Sequence, residues 1–193
     1  MNSLQDHFLI AMPSMQGSIF ERSVIYICEH NDDGAMGIII NIPVNISVDE
    51  LLDQTVREDG DNIETVLEVT TPPIDAPVFK GGPVSEERGF VLHSTNPGFS
   101  SSLPVNDDIM ITSSLDVLTT LGTQAQPENY IVALGYSGWG KGQLEQEIAD
   151  NSWLTINADD NILFHVPVAK RWEQAMQKIG IDASQLSSQI GHA

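Results

Sequence analysis

The sequence predicts an α+β or mixed-sheet α/β fold rather than a strictly doubly wound sheet, and three observations carry this expectation. Two β-rich runs, residues 24–28 and 36–42, flank the turn cluster His30-Asn-Asp-Asp-Gly34, the pattern of a hairpin. An apolar run at 129–135 leads through a glycine-rich stretch into a helical pattern at 143–149, which is a βα unit. Hairpins and βα units then mix without a fixed order along 193 residues. That length suits one compact domain. No internal repeat or long linker divides it, so 1–193 reads as a single domain.

The elements follow in order. In the first hairpin Gly34 supplies the positive φ that such a turn needs. Ser47-Val-Asp-Glu50 is a capping box that opens a helix through Leu51, Leu52 and Val56. Residues 57–76 are acidic, contain Pro72-Pro73, and read as an exposed excursion. Pro77-Val-Phe-Lys80 leads into the turn Gly81-Gly-Pro83, and strands follow at 89–93 and 108–112. Ser113-Ser114 cap a helix through Leu115, Leu118 and Leu121. The strand at 129–135 ends in a turn over 135–142, before the helix at 143–149 and a strand at 153–156. Pro167 opens a last helix, which carries Trp172, Ala175, Met176 and Ile179 and stops at Gly180.

Charge narrows the function. The chain has 27 acidic and 8 basic residues, a formal net charge of −19. A surface that wraps nucleic acid needs clustered Lys and Arg, and docking on anionic lipid needs the same. Both are excluded as expectations. The single cysteine, Cys28, rules out an internal disulfide and lies in an apolar run without a basic neighbour, as a structural thiol does. The first residues lack a basic n-region, and no apolar run is long enough to span a bilayer. The expected location is the cytoplasm, and no motif demands a cofactor or metal.

Several residues are candidates for binding. Gly135-Tyr-Ser-Gly-Trp-Gly-Lys-Gly142 approaches a phosphate loop, with Ser137, Gly138, Gly140, Lys141 and Gly142 as its parts, but Gly142 stands where the magnesium-binding hydroxyl belongs. A tight strand–helix connection explains the same glycines. The stretch also approaches a nucleophile elbow around Ser137, with Trp139 in place of the second glycine and with Asp159 and His165 too close in sequence to complete a triad. His30 and His93 can meet as ligands or as acid–base groups if their loops converge. Lys80, Arg88 and Lys141 adjoin glycine-rich turns. If these turns meet, they form a small positive pocket on a negative body, open to a small anion or an acidic peptide segment. Ordinary ion pairs, such as Arg88 with Glu86 or Glu87, are the plain alternative.

Taken together, Phe8-Leu-Ile-Ala-Met-Pro-Ser-Met15, Phe20-Glu-Arg-Ser-Val-Ile25, Gly34-Ala-Met-Gly-Ile-Ile-Ile-Asn41, Gly81-Gly-Pro-Val84, Gly89-Phe-Val-Leu-His93 and above all Leu134-Gly-Tyr-Ser-Gly-Trp-Gly-Lys-Gly-Gln-Leu-Glu145, with Glu147, Asn151 and Trp153, resemble the AlgH/YqgE family over essentially the whole chain. The resemblance implies a bacterial cytosolic protein and a branched sheet curled into a pseudo-barrel with flanking helices. One branch of that family carries the label of a transcriptional regulator of alginate synthesis. This sequence has no helix-turn-helix and no basic stripe, so such a role would run through a protein partner rather than direct DNA contact. The family pattern does not demand Lys141, and it transfers no catalytic residue. The leading expectation is a non-enzymatic protein that binds a partner or a small ligand. An enzyme acting on a small anionic or phosphorylated substrate is the alternative, with His30 or His93 as acid–base and Lys141 holding the anion.

Overall fold

The structure, a computed structural model, describes residues 3–58 and 74–181. Its elements in chain order are β1 (His7–Ala11), β2 (Val24–Asn31), β3 (Gly34–Ile39), β4 (Pro43–Ser47), α1 (Val48–Glu58), β5 (Pro77–Lys80), β6 (Val84–Ser94), β7 (Ser102–Pro104), β8 (Ile109–Thr112), α2 (Leu115–Leu118), β9 (Tyr130–Gly140), α3 (Gln143–Ala149), β10 (Trp153–Asn157) and α4 (Arg171–Lys178). The expected excursion falls at 59–73 outside the described residues.

The main sheet has the order β10-β1-β2-β3-β9-β6-β8-β7, and a side branch joins β4 to β5 and β5 to β9. β9 is the branch point. Along one edge it pairs antiparallel with β6 over Tyr130 to Tyr136. Along the other, Val132–Leu134 pair parallel with β5, and Ser137–Gly140 pair antiparallel with β3. A strand shared this way curls the sheet. The α+β fold and the branched, curled pseudo-barrel are therefore as expected.

Apolar residues on alternating faces explain the layers. Phe8 and Ile10 of β1 face one cluster with Tyr26, Ile38, Phe90, Leu92, Trp172 and Met176, so α4 packs on that side. Leu9 and Ala11 face a second, with Ile25, Ile27, Trp139, Leu144 and Trp153, under α3. A third cluster, Val48, Val78, Val91, Val117 and Val132, lies under α1 and α2. Strands buried on both faces read as continuous apolar runs, as these do.

Several local expectations hold. The capping box forms, with the Ser47 N–H donating to Glu50 and the Glu50 N–H donating to the Ser47 hydroxyl. Gly34 has φ +144, and a Cβ there would lie 2.1 Å from the Trp139 carbonyl oxygen. Others change. The strand expected to end at Gly135 runs on to Gly140, because residues 137–140 find a ladder partner in β3. The expected turn over 135–142 shrinks to Lys141-Gly142. α2 stops at Leu118, one turn long, and Ser114 donates to Asp116 instead of capping an N–H. β1, β4 and β7 are strands the sequence pattern did not reveal.

Candidate functional site

β9 and β6 together shape the most distinctive surface feature. From Val84 to Gly89 on β6, the paired residues on β9 run only from Tyr136 to Leu134. The excess residues form a wide bulge, and Ser85 inside it takes φ +49. A non-glycine residue there is uncommon, and bulges often re-aim a side chain. Gly135 makes the bulge possible. It has φ +71, and a Cβ on it would lie 2.6 Å from the Gly82 oxygen and 2.9 Å from the Val84 oxygen.

The bulge places Arg88 beside a groove of about 660 Å³. Its lining includes Met36, Val84, Phe90, Leu103 and Tyr136, and Gly138, whose missing side chain leaves room for the Tyr136 ring. The Arg88 guanidinium sits 5.5 Å from the centre of the Phe90 ring and donates to the Ser113 hydroxyl at 3.1 Å. Among the described residues Arg88 makes no ion pair, although Glu86 and Glu87 are close in sequence. Glu86 instead pairs with Lys80 at 3.3 Å. The hairpin tip contributes Glu29, Asn31 and Asp33 to the groove. Leu103 forms an apolar lip that is 62% exposed.

The other candidate residues lie elsewhere. Lys80 pairs in register with Leu134, and Lys141 follows Gly140, about 20 Å further along an extended strand. The structure therefore does not gather Lys80, Arg88 and Lys141 into one pocket. Ser137 is fully buried and its hydroxyl donates to the Gly81 oxygen at 3.2 Å. Asp159 pairs with Lys178 and also accepts the Ile162 N–H, so these partners assemble no triad with Ser137. The Gly140 N–H donates to the Gln143 side chain. Gly142 is the N-cap of α3, with φ +74.

His30 is nearly buried. Its Nδ1 accepts the Leu4 N–H at 2.8 Å, so Nε2 carries the proton and donates to Glu145 at 2.7 Å. The bond ties the end of β2 to the first turn of α3. Glu145's own N–H and the His30 ring hold its carboxyl below the usual range.

His93 is fully buried on β6. Its Nδ1 lies 2.8 Å from the Ser94 carbonyl, which can only accept, so Nδ1 is the donor. Nε2 then accepts the Thr112 hydroxyl at 2.8 Å, and Thr112 in turn accepts from Ser102 at 2.6 Å. Burial pushes the imidazole pKa down. His93 is opposite Tyr130, whereas His30 reaches β9 through Ala35, opposite Trp139. The two histidines thus sit at opposite ends of β9, about 30 Å apart along the strand. An acid–base site built from His30, His93 and Lys141 together is not what this arrangement offers. Among the described residues no cluster of His, Cys, Asp and Glu has the geometry to hold a metal. No helix among them is long and apolar enough to cross a membrane.

Sequence reasoning found Arg88 and Gly138 but not the groove between them. One signal was available. Gly138 and Gly140 alternate with the buried Ser137 and Trp139, which marks a strand with one bare face rather than a loop.

Comparison with known proteins bears on the family and the fold. A family model described as AlgH-like matches residues 8–184. A UPF0301 protein of Pseudoalteromonas translucida is 55% identical over 193 residues, covering all of both chains. One from Vibrio cholerae is 54% identical over 192 residues, covering 99% of this chain and all of the relative. The solution structure of the AlgH protein from Pseudomonas aeruginosa is similar with a TM-score of 0.78 at 39% identity, over 100% of this chain and 97% of that one. A crystal structure from Corynebacterium diphtheriae shares the fold, with a TM-score of 0.68 at 21% identity over 92% of this chain and 87% of that one. On this match over nearly its whole length, the chain belongs to the AlgH-like family.

Proposed function

We propose that the chain is a non-enzymatic, cytosolic binding protein and that the groove beside Arg88 is where its ligand sits. The ligand carries an anionic group on an apolar body. One observation carries the reading. In a chain with 27 acids and 8 bases, Arg88 is held outside ion pairs among the described residues and beside an apolar groove. An arginine in such a setting offers a planar fork of donors to a carboxylate or phosphate. Phe90 beneath the guanidinium supports that orientation. Met36, Tyr136 and Leu103 supply contact for an apolar body.

The test is a titration of isotope-labelled protein with phenyl phosphate and 4-phenylbutyrate, read by amide shifts. Shifts are expected at residues 84–90, Tyr136 and Gly138. Arg88→Ala should weaken binding about tenfold, the effect of losing one charge-assisted hydrogen bond. Shifts confined to other surfaces, or unchanged affinity in Arg88→Ala, would overturn the reading.

A further inference from the structure

We infer that the groove takes an extended peptide segment of a partner protein, with an acidic, an apolar and a basic side chain at alternate positions i, i+2 and i+4. This rests on the reading of Arg88 as an anion anchor and adds the class of occupant.

The strand order β2-β3-β9-β6 gives the groove a direction and a length, across the strands. Glu29 pairs with Met36, Met36 with Gly138, and Val84 with Tyr136. From β2 to β6 is three strand spacings, about 14 Å. On the β6 side stands Arg88, beside Ser113. On the β2 side stand Glu29 and, at the hairpin tip, Asp33, which make no ion pair among the described residues. Glu29 holds only the Asn31 side chain, and the Asp33 N–H is tied back to Asn31. The two ends are therefore of opposite charge, with Met36 and Tyr136 between them.

An extended peptide laid across these strands rises about 3.3 Å per residue. Its side chains i, i+2 and i+4 face one way and span about 13 Å, close to that width. The acid then meets Arg88, the apolar side chain rests on Met36 and Tyr136, and the base meets Glu29 and Asp33. A side chain at Gly138 would meet the Tyr136 ring 3.2 Å from its Cβ, so glycine lets that ring lie in the groove as the rest for the apolar side chain. Leu103 adds exposed apolar surface to the same groove. A small anion uses only the Arg88 end and leaves the acidic end without a partner. A purely acidic segment is repelled by a body of charge −19, whereas the basic residue of the proposed segment is drawn to it.

The experiment is selection of a displayed random heptapeptide library on the wild-type protein, counter-selected on Arg88→Glu. Arg88 is exposed, so that variant keeps the fold, which circular dichroism and denaturation check. Enriched peptides are expected to carry an acid and a base at i and i+4 with an apolar residue between. Anisotropy with an enriched peptide should show a loss of about tenfold or more in Arg88→Glu and in the double variant Glu29→Gln, Asp33→Asn. Replacing the peptide's acid by Arg should restore binding to Arg88→Glu. No Arg88-dependent enrichment, or enrichment without the charge spacing, overturns the peptide inference. If phenyl phosphate still shifts the amides around Arg88 in that case, the anion-binding reading stands alone. If neither probe responds, both fall.

Discussion

A single oxygen of Glu147 accepts the indole N–H of both Trp139 and Trp153, each at 2.8 Å, while the other carboxylate oxygen accepts the Gln143 side chain at 3.0 Å. The two indoles meet edge to face, with centres 6.1 Å apart, and Phe20 meets Trp153 in the same way at 5.4 Å. Trp139 comes from β9, Glu147 from α3 and Trp153 from β10. The carboxylate therefore fastens a helix across two strands at the base of one core cluster. The densest motif in the sequence, from Gly138 through Trp153, contains this clamp.

Removing the carboxylate leaves two buried indole donors unpaired. Glu147→Ala should cost about 2–4 kcal/mol of stability, which lowers Tm by roughly 5–10 °C in a domain of this size. Glu147→Gln keeps an acceptor oxygen and should cost distinctly less. Chemical denaturation of both variants checks this. A loss below about 0.5 kcal/mol in Glu147→Ala would mean the clamp is not a stabilising contact.

The backbone crossing at Gly135 predicts a sharper effect. Gly135→Ala combines a positive φ of +71 with a Cβ 2.6 Å from the Gly82 oxygen, in the link between β5 and β6, and 2.9 Å from the Val84 oxygen on β6. The expected cost is about 3 kcal/mol or more, with loss of a single cooperative transition. Gly142→Ala is the control. Gly142 also has positive φ, +74, but nothing lies within 4 Å of its would-be Cβ. Its cost should stay near 1 kcal/mol, the strain of the left-handed conformation alone. Equal losses in the two variants would show that conformation, not the crossing, decides.

These contrasts show what was legible in the sequence. The hairpin, the capping box, the α3 boundaries and the cap at Gly180 all rest on local rules, and the chain states them within a few residues. The fate of residues 135–140 does not. Glycines there permit a loop or a strand equally, and the choice falls to β3, a partner a hundred residues away in sequence. The same holds for the candidate site. Arg88 stood out through the scarcity of bases. What frees it is that Glu86 turns to Lys80 across the bulge, a pairing set by register rather than by neighbours in sequence. The separation of His30 from His93 likewise follows from the length of β9, which only the ladder reveals.

The link between His30 and Glu145 predicts a pH effect with a definite sign. The folded carboxyl of Glu145 titrates below its ordinary value of 4.5. Below that value the unfolded chain binds the proton first, so stability from this group is fully present above about 4.5 and drains as pH falls through the lower folded value. The stability difference between wild type and Glu145→Gln should therefore be largest near neutral pH and shrink below pH 4.5. Denaturation at a series of pH values checks it. A difference that stays constant into acid would remove the carboxylate charge from the account.

His93 gives a second case, nearer to neutrality. Desolvation is the main cause that lowers its pKa from 6.5, against a smaller opposing contribution from the hydrogen bond to the Ser94 carbonyl. The unfolded imidazole takes up its proton near 6.5, while the folded one resists until lower pH. Stability thus falls as pH drops below 6.5 and levels off once pH passes the folded value. His93→Gln should flatten that limb while losing stability at neutral pH. Thr112→Val separates the hydrogen bond from the charge. It removes the donor to Nε2 and the acceptor of Ser102 together, leaving a buried ring nitrogen unpaired, and should cost about 1–3 kcal/mol at pH 7.5. It also leaves the imidazole in place, so the limb below 6.5 should persist. If Thr112→Val abolishes the limb and His93→Gln leaves it intact, the titrating group is not His93.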